Sequence, residues 1–380
     1  MPRKFGKIKD LSSIGIADIV GSGISALFWF YLATLIEPDI YGEINYFISI
    51  ANVGATVSLL GATQSLLVYS SKGIKIHSSL YILNLIVGVV SALIVTFMVN
   101  DASVGLLVVG YLVFAISYSD VLGRKYFKTY TKYILIQKLL MFTLSIGFFF
   151  LFGTESIILG MALSFFIGVF QIFYGFKETK IDFGLLRKKF NFISFNYALS
   201  ITRIIRGTID KLIIPHLFGF AILGNYSLGL QFFTMMMILP MIVGKYLIPL
   251  ESSGVENKKL KKLIIVTSIV IGILGVLIGP EIGSILFPKF AEADSVIRIV
   301  SLGVIPATVS LTYSAKFLGR EQGKIILVLG IIKTTIMILS VVFLGTLYGI
   351  EGIATGIVLS STGEAIISII LAKITHSKKN

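Results

Sequence analysis

Apolar residues in this chain come in blocks of about twenty, the length a helix needs to cross the ~30 Å hydrocarbon core of a bilayer. Twelve blocks stand out, at about 12–36, 44–70, 79–99, 103–119, 133–152, 156–176, 194–217, 222–249, 263–280, 295–317, 324–347 and 350–372. They lack the alternation of barrel strands, and open sheets leave backbone groups unsatisfied in lipid. The pattern predicts an all-α polytopic membrane protein with twelve transmembrane helices. Composition agrees, with 56% of the 380 residues hydrophobic and 14% charged, against about 25% charged in a soluble domain. No small-residue cleavage site follows the basic first ten residues, so 12–36 reads as a retained span.

Lys and Arg divide sharply between alternate loops. The N-terminus carries Arg3, Lys4, Lys7 and Lys9, and basic residues return at 72–75, 124–132, 177–189, 258–262, 316–324 and 373–379. These seven segments hold 25 of the 33 basic residues. The opposite loops hold Lys289 and Arg298, and are otherwise acidic (Glu37, Asp39, Asp101, Glu155, Glu292, Asp294, Glu351). Positive-inside logic places both termini in the cytoplasm and the chain in the cell membrane. The net charge of +14 is then a topology signal with some attraction to anionic lipid. It is not a nucleic-acid site, because the charge is spread over seven short segments. There are no cysteines, and the three histidines (His77, His216, His376) are scattered. That excludes disulfides and thiolate metal sites and argues against a histidine metal site.

The two halves resemble each other. The segment Tyr31–Tyr46 aligns with Ile213–Leu228 at an offset of 182, matching Gly42 with Gly224. At an offset of 196, Leu122-Gly123-Arg124 matches Leu318-Gly319-Arg320, Glu155 matches Glu351, Gly160 matches Gly356 and Ser164 matches Ser360. Six spans per half is an even number, so the copies share orientation, as in a parallel repeat about an axis along the membrane normal. The expected lobes are 1–190, ending in a basic linker at 177–192, and 191–380.

The seventh span carries charge at membrane depth: Ser200, Arg203, Arg206, Asp210 and Lys211 lie within Phe195–Phe218. Such charges are costly and face a water-filled path or a partner, so the stripe predicts a transporter of something charged. Asn196, Ser200, Arg203, Gly207 and Asp210 share a helical face, with Arg206 flanking. Arg203 and Arg206 lie ~14–18 Å from the inner end. Lys333, nine residues into span 11, lies at the same depth and either joins a cationic ring or pairs with a carboxylate. A plainer reading makes Arg206 and Asp210 an (i, i+4) pair that staples the helix; it leaves Arg203 unmatched. Lys211 is expected to snorkel outward. Asp18 and Glu364 are candidate carboxylates for coupling to Na+ or H+. Asn45, Asn52, Thr56, Gln64, Asn225 and Gln231 either line a cavity or join helices as polar glue. No phosphate-binding loop, metal cluster or Ser/His/Asp set appears, so the chain reads as a non-enzyme without cofactor.

Three segments carry a family resemblance: Leu35-Ile-Glu-Pro-Asp-Ile-Tyr-Gly-Glu-Ile-Asn-Tyr46, then Asp210-Lys211 through Gly224-Asn-Tyr226, then Leu286-Phe-Pro-Lys through Val300. In this order they resemble the polysaccharide-biosynthesis (Wzx-like) flippases of the MOP superfamily, which also holds MATE exporters and lipid II flippases. The resemblance implies two six-helix lobes in a MATE-like fold, a central cavity, alternating access and a lipid-linked sugar as substrate, handled by a monomer in lipid. The chain is short for that family and its loops are minimal, which leaves little room for a loop device selecting the sugar. On this reading Arg203, Arg206, Asp210 and Lys333 bind the phosphate or pyrophosphate of a polyprenyl-linked oligosaccharide, since guanidinium meets phosphate bidentately. A MATE-like antiporter of organic cations is the alternative. It would favour an acidic cavity, for which Asp18, Asp210 and Glu364 are the available groups.

Overall fold

The computed structural model describes residues 8–252 and 257–377. The basic residues Arg3, Lys4, Lys7, Lys378 and Lys379 lie outside them. Among the described residues the chain is all-helical. The first helix, α1 (Ile8–Leu35), is followed by α2 (Pro38–Leu59). Proline opens α2 at the position where its missing N–H costs nothing. Leu60 and Gly61 then take positive φ, and α3 (Ala62–Ser71) continues at a 49° bend. Next come α4 (His77–Val99) and α5 (Ala102–Gly123). Asp101 caps α5 by accepting from the Ser103 N–H at 2.7 Å. After α6 (Phe127–Phe152), the helical run 154–178 contains α7 (Ile157–Ser164) and α8 (Val169–Glu178). The basic linker folds as a short helix, α9 (Phe183–Lys188), capped by Asp182.

The second half starts with α10 (Phe190–Phe218), then α11 (Phe220–Met236) and α12 (Ile238–Ser252), again bent by 49°. It continues with α13 (Lys258–Leu286), α14 (Ala293–Gly319), α15 (Gly323–Leu339) and α16 (Gly345–Ser377). Eight helical runs are long and apolar enough to cross a membrane, or ten if each bent pair is one crossing. The last run, Gly323–Ile374, has 52 residues, roughly 78 Å at 1.5 Å per residue. That is more than two membrane cores, and the chain turns back at Gly349 (φ 58°, ψ −139°). Only glycine adopts that backbone conformation readily. Helix α10, which carries four charged residues, is not among these runs.

The chain forms two compact units. One contains residues 1–28 and 47–204, the other 29–46 and 205–380. These units cross the 190/191 boundary twice, since the end of α1 and start of α2 pack in the second unit, and the first half of α10 packs in the first. Each unit is built around one buried helix. In the first, α5 packs against α3, α4, α7 and α8. In the second, α14 packs against α11, α12, α13 and α16. The 196-residue offset relates α5 to α14, so the repeat assigns its copies the same central place. Both carry small polar residues among the apolar ones, Ser117 and Ser119 on α5 and Ser301, Thr308 and Ser310 on α14. Such residues let membrane helices approach closely.

Within the second unit the repeat appears as a reciprocal contact. A Cβ added to Gly42 would lie 2.0 Å from the Phe220 carbonyl oxygen; one added to Gly224 would lie 1.8 Å from the Pro38 carbonyl oxygen. Gly42 and Gly224, and likewise Pro38 and Phe220, differ by 182 in number. Reciprocal pairing of this kind is the signature of a two-fold relation. Only glycine permits it, because the two backbones touch.

Candidate functional site

The charged half of α10 meets α15 and α16 in the second unit. Arg206 lies over Gly330, where a Cβ would stand 3.6 Å from Nη1. Its Nη1 is 3.9 Å from Glu364 Oε1. From α15, Lys333 Nζ donates to Glu364 Oε2 at 3.0 Å. Glu364 is a midpoint residue of α16, about 20 Å from Gly349 by helical rise. Its side chain is 7% exposed, while those of Arg206 and Lys333 are 35% and 30% exposed. Two cations thus share one buried carboxylate and keep a face open. The triad carries a net charge of +1. In a low-dielectric setting such a charge attracts an anion far more strongly than it would in water.

Asp210 does something other than staple the helix. Its Oδ2 accepts from the Tyr226 hydroxyl of α11 at 2.7 Å. Its Oδ1 is buried without a hydrogen-bond partner among the described residues. The expected Arg206–Asp210 pair therefore gives way to Arg206–Glu364. The reason is tertiary: α16 brings a carboxylate to the guanidinium, and α11 brings a phenol to Asp210. Lys211 also departs from expectation. It is half-buried, and Nζ donates to Asn45 Oδ1 at 3.3 Å instead of snorkelling. One turn further on, the His216 ring lies edge-on to Tyr46.

Of the remaining predicted residues, Arg203 and Asp18 lie in the first unit. Arg203 is exposed and forms no ion pair among the described residues there. Asp18 is half-buried and interacts with the Tyr130 hydroxyl. Among the polar candidates, Asn45 and Asn225 each donate to a backbone carbonyl four residues earlier, at 2.9 and 3.0 Å.

The structure also shows a polar cluster that periodicity did not single out. Asp120, at the end of α5, is fully buried. Its carboxylate accepts from Ser70 at 2.7 Å, Arg124 Nε at 2.9 Å and Gln171 at 2.9 Å, and lies 3.2 Å from His77 Nδ1. Arg124 Nη1 reaches Glu178 at 2.5 Å. Burial opposes the Arg124 charge, but Asp120 and then Glu178 outweigh it and raise its pKa above the ordinary guanidinium value. The expected fourth span ended at 119, which left Asp120 in a loop. The one available signal was its (i, i+4) spacing to Arg124. The second unit has a counterpart, the buried Glu251 paired with Lys261. Among the described residues no group of three or more His, Cys, Asp or Glu side chains could hold a metal.

Neither a protein-family model nor a curated protein sequence matches the chain. Solved structures do. An inward-facing multidrug resistance MATE transporter of the MOP superfamily aligns at 13% identity, with a TM-score of 0.75, over 97% of this chain and 98% of its own. The lipid II flippase MurJ, in an inward closed conformation, aligns at 14% identity and a TM-score of 0.75, over 94% of this chain and 87% of its own. A MOP-superfamily transporter from Pyrococcus furiosus, described for the reversed polarity of its binding pocket, aligns at 14% identity and 0.69, over 97% and 96%. The fold is that of MOP-superfamily transporters, and with its apolar helices the chain is a multi-pass membrane protein. These neighbours are transporters and a flippase. The multidrug resistance transporter and the lipid II flippase fit equally well, each at a TM-score of 0.75.

Proposed function

We propose that this protein is a flippase that moves a polyprenyl-(pyro)phosphate-linked oligosaccharide across the cell membrane by alternating access, for polysaccharide or glycan synthesis. The observation that carries this reading is the Arg206–Glu364–Lys333 triad, where two partly exposed cations outnumber one buried carboxylate. A site for organic cations needs the opposite balance. Arg206 and Lys333 would hold the headgroup phosphate. Asp210, held by Tyr226, would fix the α10–α11 geometry beside them. Asp18 and Glu364 are the carboxylates available for coupling to H+ or Na+, and no other cofactor is required. The Wzx-like family within the superfamily is part of the same proposal.

The proposed topology has twelve spans in two six-helix lobes, with both termini cytoplasmic, in a protein acting as a monomer. It counts each bent pair as one crossing, divides the last run at Gly349, and admits α10 despite its charges, because those charges serve the site. In this cysteine-free chain, cysteines placed at Asp101, Glu155 and Asp294 should react with an impermeant reagent outside the cell, and ones at Lys75 and Lys259 should not. The reverse labelling would overturn the orientation.

The function is tested with purified protein in proteoliposomes. A fluorescent polyprenyl-pyrophosphate-linked oligosaccharide should change leaflets faster than in empty liposomes, and an organic cation such as ethidium should not be moved. Transport of ethidium with none of the glycolipid would replace the flippase reading with the antiporter.

A further inference from the structure

We infer that the linker joining the two halves of the chain is a lipid-binding element: Lys177, Lys180, Arg187 and Lys188, with Phe183 and Phe190 among them, form a face that seats on anionic phospholipid at the membrane surface. The segment belongs wholly to the first unit, and the inference is independent of what the protein carries. It starts from a fixed scaffold. The linker is strapped to the start of α4: the Ser78 N–H donates to Thr179 Oγ1 at 3.2 Å, the Ser78 hydroxyl donates to the Thr179 carbonyl at 2.7 Å, and the Asp182 N–H donates to Ser79 Oγ at 2.7 Å. Leu185 and Leu186 pack onto the core around Tyr69 and Leu80. Lys189 Nζ lies 5.8 Å over the Tyr69 ring, and Phe192 meets the same ring edge-on. The linker is therefore no free tether. One side of α9 is committed to protein, and that fixes what the other side presents.

The open side is both basic and aromatic. Phe183 and Phe190 are 59% and 64% exposed, and Lys177, Lys180, Arg187 and Lys188 are exposed beside them. Arg187 follows Phe183 by one helical turn, so the two share a face. Residues 177–189 hold five basic residues against two acidic ones, and both carboxylates are engaged elsewhere. Glu178 pairs with Arg124, and Asp182 accepts from the Leu185 N–H at 3.0 Å. The cations are left without a counter-ion from their own segment. The location supplies one. The apolar run 154–178 ends where the linker begins, and α10 starts at Phe190, so the face lies at headgroup level; in the proposed topology this is the inner leaflet. There the phenyl rings enter the acyl boundary while the neighbouring cations stay with the phosphates. The Arg187 guanidinium meets a phosphate bidentately, and the lysines add point charge. A zwitterionic lipid gains the aromatic contacts alone. The basic excess therefore sets a preference for anionic headgroups.

The test uses the full-length protein in liposomes of phosphatidylcholine mixed with phosphatidylglycerol. The single tryptophan, Trp29, is removed by Trp29→Phe, and Phe183→Trp places a reporter on the linker. Brominated acyl chains, carried by one lipid or the other, quench the reporter on contact. At equal mole fractions brominated phosphatidylglycerol should quench at least about threefold more effectively, the order expected for a few basic residues at an anionic surface. Lys180→Gln, Arg187→Gln and Lys188→Gln together should bring that ratio to one and leave the quenching itself, because the aromatic contacts remain. Salt at ~0.5 M should lower the ratio in the parent, since exposed charges are screened. A reporter at the far end of α6, made by Phe152→Trp, should show no preference. Equal quenching by the two lipids at position 183 would overturn the proposal, as would a preference that survives the three Gln exchanges or appears equally at position 152. Quenching by neither lipid would also overturn it, placing the face in water and open to a soluble partner.

Discussion

Two buried acidic centres of this protein solve the same problem in opposite ways. In the first unit Asp120 is fully enclosed and saturated, with Ser70, His77, Arg124 and Gln171 around it and Glu178 beyond Arg124. In the second unit Glu364 is nearly as hidden, but its partners are two cations that remain partly open. A carboxylate with all its partners in place fixes helices to one another. An undersaturated cluster keeps a net positive charge available. Burial alone therefore does not mark a working site in a membrane protein; the balance of charge at the exposed side does.

This contrast can be broken by substitution. The largest effect is expected at the saturated centre. Asp120→Asn leaves Arg124 short of its main partner and should cost about 3–5 kcal/mol, read as a fall in thermal unfolding temperature in detergent. Protein that survives should transport at the wild-type rate per folded molecule. A mild stability effect would remove the structural role given to this cluster. A smaller loss, about 1–2 kcal/mol, is expected for Lys333→Gln, since the amide can still donate and Arg206 still faces the carboxylate. If Lys333→Gln destabilised as much as Asp120→Asn, the two centres would be alike and the distinction would fail. The smallest effect belongs to the exposed pair Lys289–Glu37, at 2.9 Å with both side chains open to solvent. Lys289→Ala should shift stability by about 0.2–1 kcal/mol, close to the limit of a thermal-shift measurement.

Much of this architecture is legible in the sequence. Block lengths place helices such as α4, α6 and α14 within a few residues of where they lie, because a ~30 Å core imposes length on any crossing helix. The repeat is legible too, since glycines that must touch, Gly42 and Gly224, are constrained on both copies. What periodicity does not carry is the position of bends. Leu60 takes a positive φ that its residue type does not announce, and α11 and α12 part within an unbroken apolar run. The site is half legible. Arg206, Lys333 and Glu364 stand out as charges at depth, but which carboxylate faces which cation depends on helices far apart in sequence. Asp210 was as well placed for Arg206 by spacing as Glu364 proved to be by packing. The partner of Asp210, Tyr226, lay at the far end of the same quoted motif without any local rule linking the two.

The central claim is that the cations on α10 exist to hold an anionic headgroup. The measurement that tests it most directly is the translocation rate of a pyrophosphate-linked oligosaccharide in proteoliposomes, compared among wild type, Arg206→Ala and Arg206→Lys at matched amounts of folded protein. The account predicts that Arg206→Ala loses at least about tenfold in rate, equivalent to ~1.4 kcal/mol in the barrier. Arg206→Lys should keep a measurable fraction, because charge survives and the bidentate geometry does not. Translocation by Arg206→Ala at the wild-type rate would contradict it.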